Sequence, residues 1–475
     1  MKLHLALASA CLSAICAAAS SAGAVEAPTL RPDQVAFRGL YKELVETNTS
    51  LSAGSCTLAA ERMAARLKAA GYPDKDIDVF STADHPKEGG LVAVLHGSDP
   101  KAKAILLLAH IDVVEAKRED WTRDPFTMVE EDGYYYARGA ADDKAMASVF
   151  VDSLIRYRQE GYRPKRDIKL ALTCGEETLA AFNGADWLAH NRRAEIDAAF
   201  ALNEGAGGRL DAQGKRLYLE VQAGEKVPQD YRFESTNPGG HSSRPIKDNA
   251  IYHLSGALTR LMDYEFPVRF NDATRGYFTE IAKQRPGEIG DAINALLKDP
   301  TDAHADAIVS RDAGWHSSLR TTCVATMING GHADNALPQR ASAIVNCRIF
   351  PGESVESVRQ ALVQAAGDPK VSVTALGTPS PAGPPPPLTP EIMGPIKQVA
   401  GEMWPGTPIL PTQSTGATDG RYLTAAGIPT YGLSGMFSGP EPNGVHGLNE
   451  RIRIKTLMDG RDFLYRIVKV YAGGK

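Results

Sequence analysis

Several short clusters in this chain place imidazoles or carboxylates at the ends of apolar runs. His110-Ile-Asp112 closes the run Ala104–Ala109. In an extended chain, residues i and i+2 project from one face, so this imidazole and this carboxylate point the same way. A metal-bound histidine commonly donates its second N–H to a carboxylate or carbonyl, which fixes the ring and raises its basicity. Taken alone, the pair also suits a structural His–Asp contact. Asp142-Asp143-Lys144 follows Ala137-Arg-Gly-Ala-Ala, with Asp142 at the expected start of a helix. Helix capping accounts for one aspartate there, though not for two. Glu176-Glu177 comes directly after the apolar run Ile168–Thr173. Adjacent carboxylates at a buried strand end repel and lose solvation unless a cation or a proton offsets them. One can bind a metal while the other handles a proton. Asn203-Glu204-Gly205 repeats the pattern, and Gly444-Val-His446 adds a second histidine. Carboxylate oxygens combined with imidazole nitrogens suit zinc, cobalt or manganese. Two such ions about 3.5–4 Å apart need a bridging carboxylate and a bridging water.

These groups converge only if the elements between them bring the strand ends together. Leu91–Leu95, Ala104–Ala109, Ile168–Thr173 and Ala198–Asn203 are short apolar runs bounded by turn residues and read as buried strands. Helical patterns cover Pro28 to about Gly71 and Lys144 to Tyr162. Alternating strands and helices predict an α/β layer with a mixed, largely parallel sheet, and such sheets bind ligands at the carboxyl ends of their strands. The pattern changes after Glu204. Tyr231–Glu234, Thr322–Ile328 and Ala341–Phe350 look extended, a helix is expected over Ser354–Ala366 and a strand near Val371–Ala375, so 227–381 reads as a smaller α+β unit. The stiff stretch Thr378–Pro387 follows, and then Ile392–Met403 and Pro429–Leu433 resume the helix and strand patterns. The economical organisation is one catalytic domain, 25–226 and 382–475, interrupted by an insert. Three sequential domains is the alternative, but the last stretch is short for a core of its own.

The bulk properties narrow the function classes. With 475 residues and a formal net charge of −5, the chain gives no reason to expect nucleic acid or an anionic membrane as partner. Met1-Lys2, the apolar run Leu3–Ala19 and Ala22-Gly23-Ala24 describe a secretory signal peptide cut after Ala24. The run is short for a bilayer span, and neither Cys11 nor Cys16 has the leucine three residues upstream that a lipoprotein would carry. A periplasmic or secreted enzyme without a membrane span is expected. Cys56, Cys174, Cys323 and Cys347 then remain. Disulfides are allowed there, with Cys323 and Cys347 suited to neighbouring strands, and free buried thiols fit equally well.

In combination these motifs resemble the dinuclear zinc exopeptidases and amidohydrolases, the family of glutamate carboxypeptidase, aminoacylase, acetylornithine deacetylase and succinyl-diaminopimelate desuccinylase. The likeness extends to Gly239-Gly-His241-Ser-Ser243, Asn335-Ala-Leu-Pro338 and Ser414-Thr-Gly-Ala-Thr418-Asp419, in order along the chain. It implies a zinc-exopeptidase-like catalytic domain and a ferredoxin-like lid or dimerisation insert, with a homodimer through that insert. His110 and Glu204 match ligands of one metal, Glu177 and His446 ligands of the other, and Asp142 the bridging carboxylate. Asp112 matches the partner of His110, Glu176 the general base and His241 the group that stabilises the oxyanion. Asn335 and Arg348 match positions that hold a substrate carboxylate. The expected substrate is a small peptide or an N-acyl amino acid, cleaved at the amide beside its free carboxylate. Ala145 departs from the family's usual glycine, and the stretch Tyr264–Leu319 exceeds a minimal lid and leaves the dimer mode open. Two rivals remain: a lid-less two-zinc aminopeptidase and a non-catalytic periplasmic binding protein. His241, Asn335 and Arg348 argue against the first, and Glu176 against the second.

Overall fold

The apolar runs form strands because they are covered on both faces. Every residue of the strand Ile105–His110 is buried, as is every residue of Phe200–Asn203, the pattern expected of parallel strands between helical layers. A computed structural model describes residues 30–178, 182–378, 381 and 383–474. The expected signal peptide with Cys11 and Cys16, and part of the proline-rich stretch, lie outside the described residues.

The main sheet runs in the order Ile77–Thr82, His85–Leu95, Ile168–Thr173, Ile105–His110, Phe200–Asn203, Thr430–Gly432, Arg216–Glu225, Gly208–Leu210, Phe437–Ser438, with Ile409–Ser414 also paired to Arg216–Glu225. Its centre is parallel and its flanks are largely antiparallel. Thr430–Gly432 slots beside Phe200–Asn203, so a late segment of the chain completes the middle of a sheet begun by early ones. The helices Pro32–Val45, Cys56–Ala69, Lys144–Gln159 and Ile454–Ala472 bury one face of this sheet in the largest apolar core. Gly184–Asn191 and Gly420–Ala425 cover the other.

The first helical region is two helices rather than one continuous pattern. Asn48 Oδ1 accepts the Ser50 N–H at 2.9 Å, and Ser55 caps the second helix through Leu58 N–H. A Cβ at Gly54 would lie 2.6 Å from the backbone of residues 48–50, so only glycine closes this turn.

A second, four-stranded antiparallel sheet has the order Thr322–Gly330, Arg340–Ile349, Val227–Thr236, Val371–Ala375. Helices Ala250–Met262 and Val355–Ala366 pack on it, giving the β-α-β-β-α-β succession of a ferredoxin-like unit. The extra stretch Tyr264–Leu319 was expected to enlarge this unit, but most of it packs elsewhere. Its helices, from Asp272–Gln284 to Ala313–Ser318, form a separate apolar cluster that includes Leu410 and contacts Tyr218 of the main sheet. Gly276 makes the approach close: a Cβ there would lie 2.5 Å from Pro411 Cγ.

Two disulfides settle the cysteines. Cys323 and Cys347 face each other in register on paired strands. Cys56, at the start of a helix, joins Cys174 at the end of Ile168–Thr173. Among the described residues, no helix is long and apolar enough to cross a membrane.

Candidate metal centre

His110 ends a fully buried strand and is itself 1 % exposed. Its Nδ1 lies 3.1 Å from the backbone carbonyl of Asp112 and 3.5 Å from the Asp112 carboxylate. The nearer partner is thus the carbonyl, with the carboxylate shared between the ring and the backbone of the glutamate pair. Asp112 Oδ2 accepts the Glu177 N–H at 3.0 Å, and Oδ1 lies 3.4 Å from the Glu176 nitrogen. The Glu176-Glu177 turn begins at Gly175, whose φ is 95° and where a Cβ would strike the Phe182 carbonyl oxygen.

On the open side, His110 Nε2 is 3.2 Å from Asp142 Oδ1 and 3.7 Å from Glu204 Oε1. The other Asp142 oxygen, Oδ2, is 3.3 Å from His446 Nε2, which is 2.9 Å from Glu177 Oε2. Asp142 therefore turns one oxygen to each imidazole, as a carboxylate shared by two ions would. Asp143, not Asp142, occupies the N-cap position of Lys144–Gln159, and its side chain makes no capping bond. His446 has a φ of 57°, a left-handed conformation that costs a non-glycine residue about 1–2 kcal/mol.

This donor set holds more buried carboxylate than the chain's own cations neutralise. Burial pushes Glu176 up to about 8 and Glu177 to about 7, against the pull of His110. Burial likewise holds Glu204 far above the usual carboxylate range. Burial alone would lower His110, but Glu204, Asp112 and Asp142 together hold it well above its ordinary value. Burial also opposes ionisation of Asp142, yet the two imidazoles keep its pKa below the usual range. Divalent cations would relieve this imbalance. Ligand atoms of His110, Glu176 and Glu204, and of His110, Asp142 and Glu177, lie within 4.8 Å of one another, so these residues fit such ions.

Other residues make the centre rigid, and their roles were not read from the sequence. Glu450, 1 % exposed, accepts hydrogen bonds from Arg138 Nη1 and from the backbone N–H groups of Gly139, Ala141 and Asp142. It ties the His446 loop to the loop bearing Asp142. Asp419 accepts from Thr173 Oγ1 and Asn183 Nδ2, and Glu225 from the Thr418 N–H and hydroxyl. The signal for Glu450 was an acid shortly after a candidate histidine, which looks the same as a solvated loop acid.

The three residues predicted in the insert are not part of this cluster. His241 and Asn335 are exposed; the strand Gly240–His241 pairs with Ala336–Leu337 as a short ribbon, and Ser242 N–H donates to the Asn335 carbonyl at 2.9 Å. His241 Nδ1 accepts from the Ser243 N–H and meets its hydroxyl at 2.8 Å, a local turn-capping contact. Arg348 stands at the base of the insert, in register with Pro228. Burial and the neighbouring Arg421 charge disfavour its protonated form, so an anion would be welcome there.

A family model described as peptidase family M20/M25/M40 matches residues 106–470. The chain belongs to this family. It is 28 % identical over 388 residues to the N-fatty-acyl-amino acid synthase/hydrolase PM20D1 of Mus musculus, covering 79 % of this chain and 75 % of that protein. It is 28 % identical over 381 residues to aminoacylase-1A of Rattus norvegicus, covering 79 % and 82 %. The M20 metallo-carboxypeptidase Sso-CP2 from Sulfolobus solfataricus has the same fold, with a TM-score of 0.68 and 18 % identity over 93 % of this chain and 100 % of that one. This M20 chain is a metal-dependent hydrolase of amide or peptide bonds. Dinuclear metal binding is a property of the family.

Proposed function

We propose that this M20 enzyme cleaves the amide bond next to a free carboxylate in small peptides or N-acyl amino acids. The observation that carries the reading is Asp142, one oxygen toward His110 and the other toward His446, with a Glu176 ligand atom within 4.8 Å of those of His110 and Glu204. His110, Glu204 and Asp142 would hold one ion, and His446, Glu177 and Asp142 the other; zinc is the first choice, with cobalt and manganese as alternatives. When bound, such ions supply an acidified water and a Lewis acid for the amide carbonyl. Glu176 takes the proton that the attacking water gives up and passes it to the leaving amine. Asp112 keeps the Glu176-Glu177 backbone and the His110 ring in place. Arg348 and Asn335 hold the substrate carboxylate, and His241 donates to the developing oxyanion once the insert closes, or from a second subunit.

A homodimer through the insert is part of this proposal. Thr322–Gly330 is an edge strand whose Val324, Met327 and Ile328 are 60–68 % exposed, a surface that an identical strand would cover. A secreted or periplasmic location, after removal of 1–24, is also proposed; the two disulfides support an oxidising compartment.

The test is a pair of substitutions on metal-loaded protein assayed with dipeptides and N-acyl amino acids. Glu176→Ala keeps both ions and loses turnover by about 100-fold or more, whereas Glu177→Ala loses one ion. Equal metal loss in both would overturn the assignment of base and ligand. Cleavage only of substrates lacking a free carboxylate would overturn the substrate class.

A further inference from the structure

Two cavities adjoin one another beside the candidate metal centre. The larger, about 620 Å³, has Asp142, Asp143 and Glu204 in its wall. The second, about 370 Å³, lies between the main sheet and the helices of the Tyr264–Leu319 stretch, walled by Tyr277, Phe278 and Trp315. Gly205, Arg209 and Glu220 line both, so the second cavity starts one residue beyond the candidate ligand Glu204. It exists because the extra helices were laid on the main sheet instead of the insert.

Gln222 stands at this junction. Gln222 is among the residues lining the second cavity, it is 5 % exposed, and its carboxamide oxygen, buried against Gly205, has no hydrogen-bond partner among the described residues. Other amides nearby are engaged: Asn203 donates to Thr418 Oγ1, and Gln413 donates to the Ser318 carbonyl. The Gln222 amide packs over Gly205, where a Cβ would come within 2.4 Å of its oxygen. A buried polar atom left unpaired costs stability, and native structures retain few of them without a reason.

We propose that this second cavity is a subsite for an aminoacyl group on the acyl side of the scissile amide. Its N–H would pair with the Gln222 carboxamide, and an aromatic side chain would pack against Trp315 and Tyr277. Trp315 already stacks edge-on with Phe278 at 6.0 Å, leaving a rigid aromatic wall of the kind that receives another ring. A plain hydrocarbon acyl chain would leave the Gln222 oxygen unpaired, so peptides with an aromatic residue there are favoured over simple fatty-acyl amides. The inference rests on the proposed cleavage beside a free carboxylate and adds which acyl group is accepted.

Three substrates separate the ideas on the metal-loaded enzyme: N-acetyl-leucine, N-(3-phenylpropanoyl)-leucine and N-acetyl-phenylalanyl-leucine. The second and third share the ring, and only the third carries the N–H beside the attacked carbonyl. The expected wild-type kcat/KM is about tenfold higher for the third than for the second, the scale of one hydrogen bond. Gln222→Met should bring that ratio to within about twofold, and Trp315→Ala should reduce the advantage of both ring-bearing substrates over N-acetyl-leucine. Equal wild-type efficiency on the second and third substrates overturns the subsite, as does an unchanged ratio in Gln222→Met. Because the wild-type comparison needs no variant, a poorly folded Gln222→Met leaves the test intact. If the wild type cleaves none of the three, the reading of cleavage beside a carboxylate fails, a result distinct from a lost preference.

Discussion

Asp112 Oδ2 accepts the backbone N–H of Glu177 at 3.0 Å, while the Asp112 carbonyl holds His110 Nδ1 at 3.1 Å. One residue thereby fixes a candidate ligand through its backbone and the paired glutamates through its side chain. Asp112→Asn presents an amide N–H where an acceptor is needed and loosens the Glu176-Glu177 turn without disturbing the carbonyl. A loss of about 10–100-fold in metal affinity or activity is expected, as for other outer partners of metal ligands. Metal titration followed by kinetics at saturating metal checks it. Wild-type values for both would show that the carboxylate is dispensable.

Glu450 is the strongest structural tie between the two loops that carry Asp142 and His446. Glu450→Ala leaves Nη1 of the buried Arg138 and three backbone N–H groups without their acceptor, while Arg138 Nη2 keeps the Gly447 carbonyl. Removing one partner of a buried pair costs about 3–5 kcal/mol. Denaturant unfolding of metal-free protein should show that loss, and metal binding should weaken as well. A change below about 1 kcal/mol would mean that water replaces the carboxylate there.

The two disulfides should differ in effect. Cys56–Cys174 closes a separation of 118 residues and precedes Glu176 by only two positions, whereas Cys323–Cys347 closes 24 within the second sheet. Replacing Cys56 and Cys174 by serine should cost about 2–4 kcal/mol and also lower kcat, because the strand end that positions Glu176 is freed. Replacing Cys323 and Cys347 should lower stability with less effect on kcat. Thermal midpoints and turnover measured on both double variants decide the matter. Equal kcat losses would deny the link between Cys174 and the Glu176 turn.

Lys226 links the two sheets and is fully buried, donating to the Ser317 carbonyl and to Thr322 Oγ1. Burial lowers its pKa from 10.5 to about 7. Between those values the unfolded chain binds a proton that the folded chain does not, so this group's contribution to stability rises with pH across the window. Below about 7 both states carry the proton and the penalty is complete. The unfolding free energy of Lys226→Met relative to wild type should therefore be most favourable near pH 7 and fall steadily toward pH 10. A difference that does not change with pH would place the ammonium in a better-solvated setting.

The sequence by itself determined the α/β catalytic architecture and the polar residues available to the centre. Strand ends such as Ala104–His110 and Ile168–Thr173 are legible because period, length and flanking turns are local properties. His110, Glu176, Glu177 and Glu204 stood out because polar groups after apolar strands need a reason to be there, and Asp142 at a helix start and His446 in a late loop completed the set. The tertiary structure alone decided what each of them faces. Asp112 turned its carboxylate to the Glu176-Glu177 backbone, and Glu450 became the buried tie between loops more than 300 positions apart. It also decided that the helices of Tyr264–Leu319 lie on the main sheet, and that His241 and Asn335 share an exposed ribbon outside the clustered candidate ligands. Such outcomes depend on which surfaces meet across long sequence separations. An apolar helical stripe records that it must be covered, while the identity of the covering surface is set only when the whole chain packs.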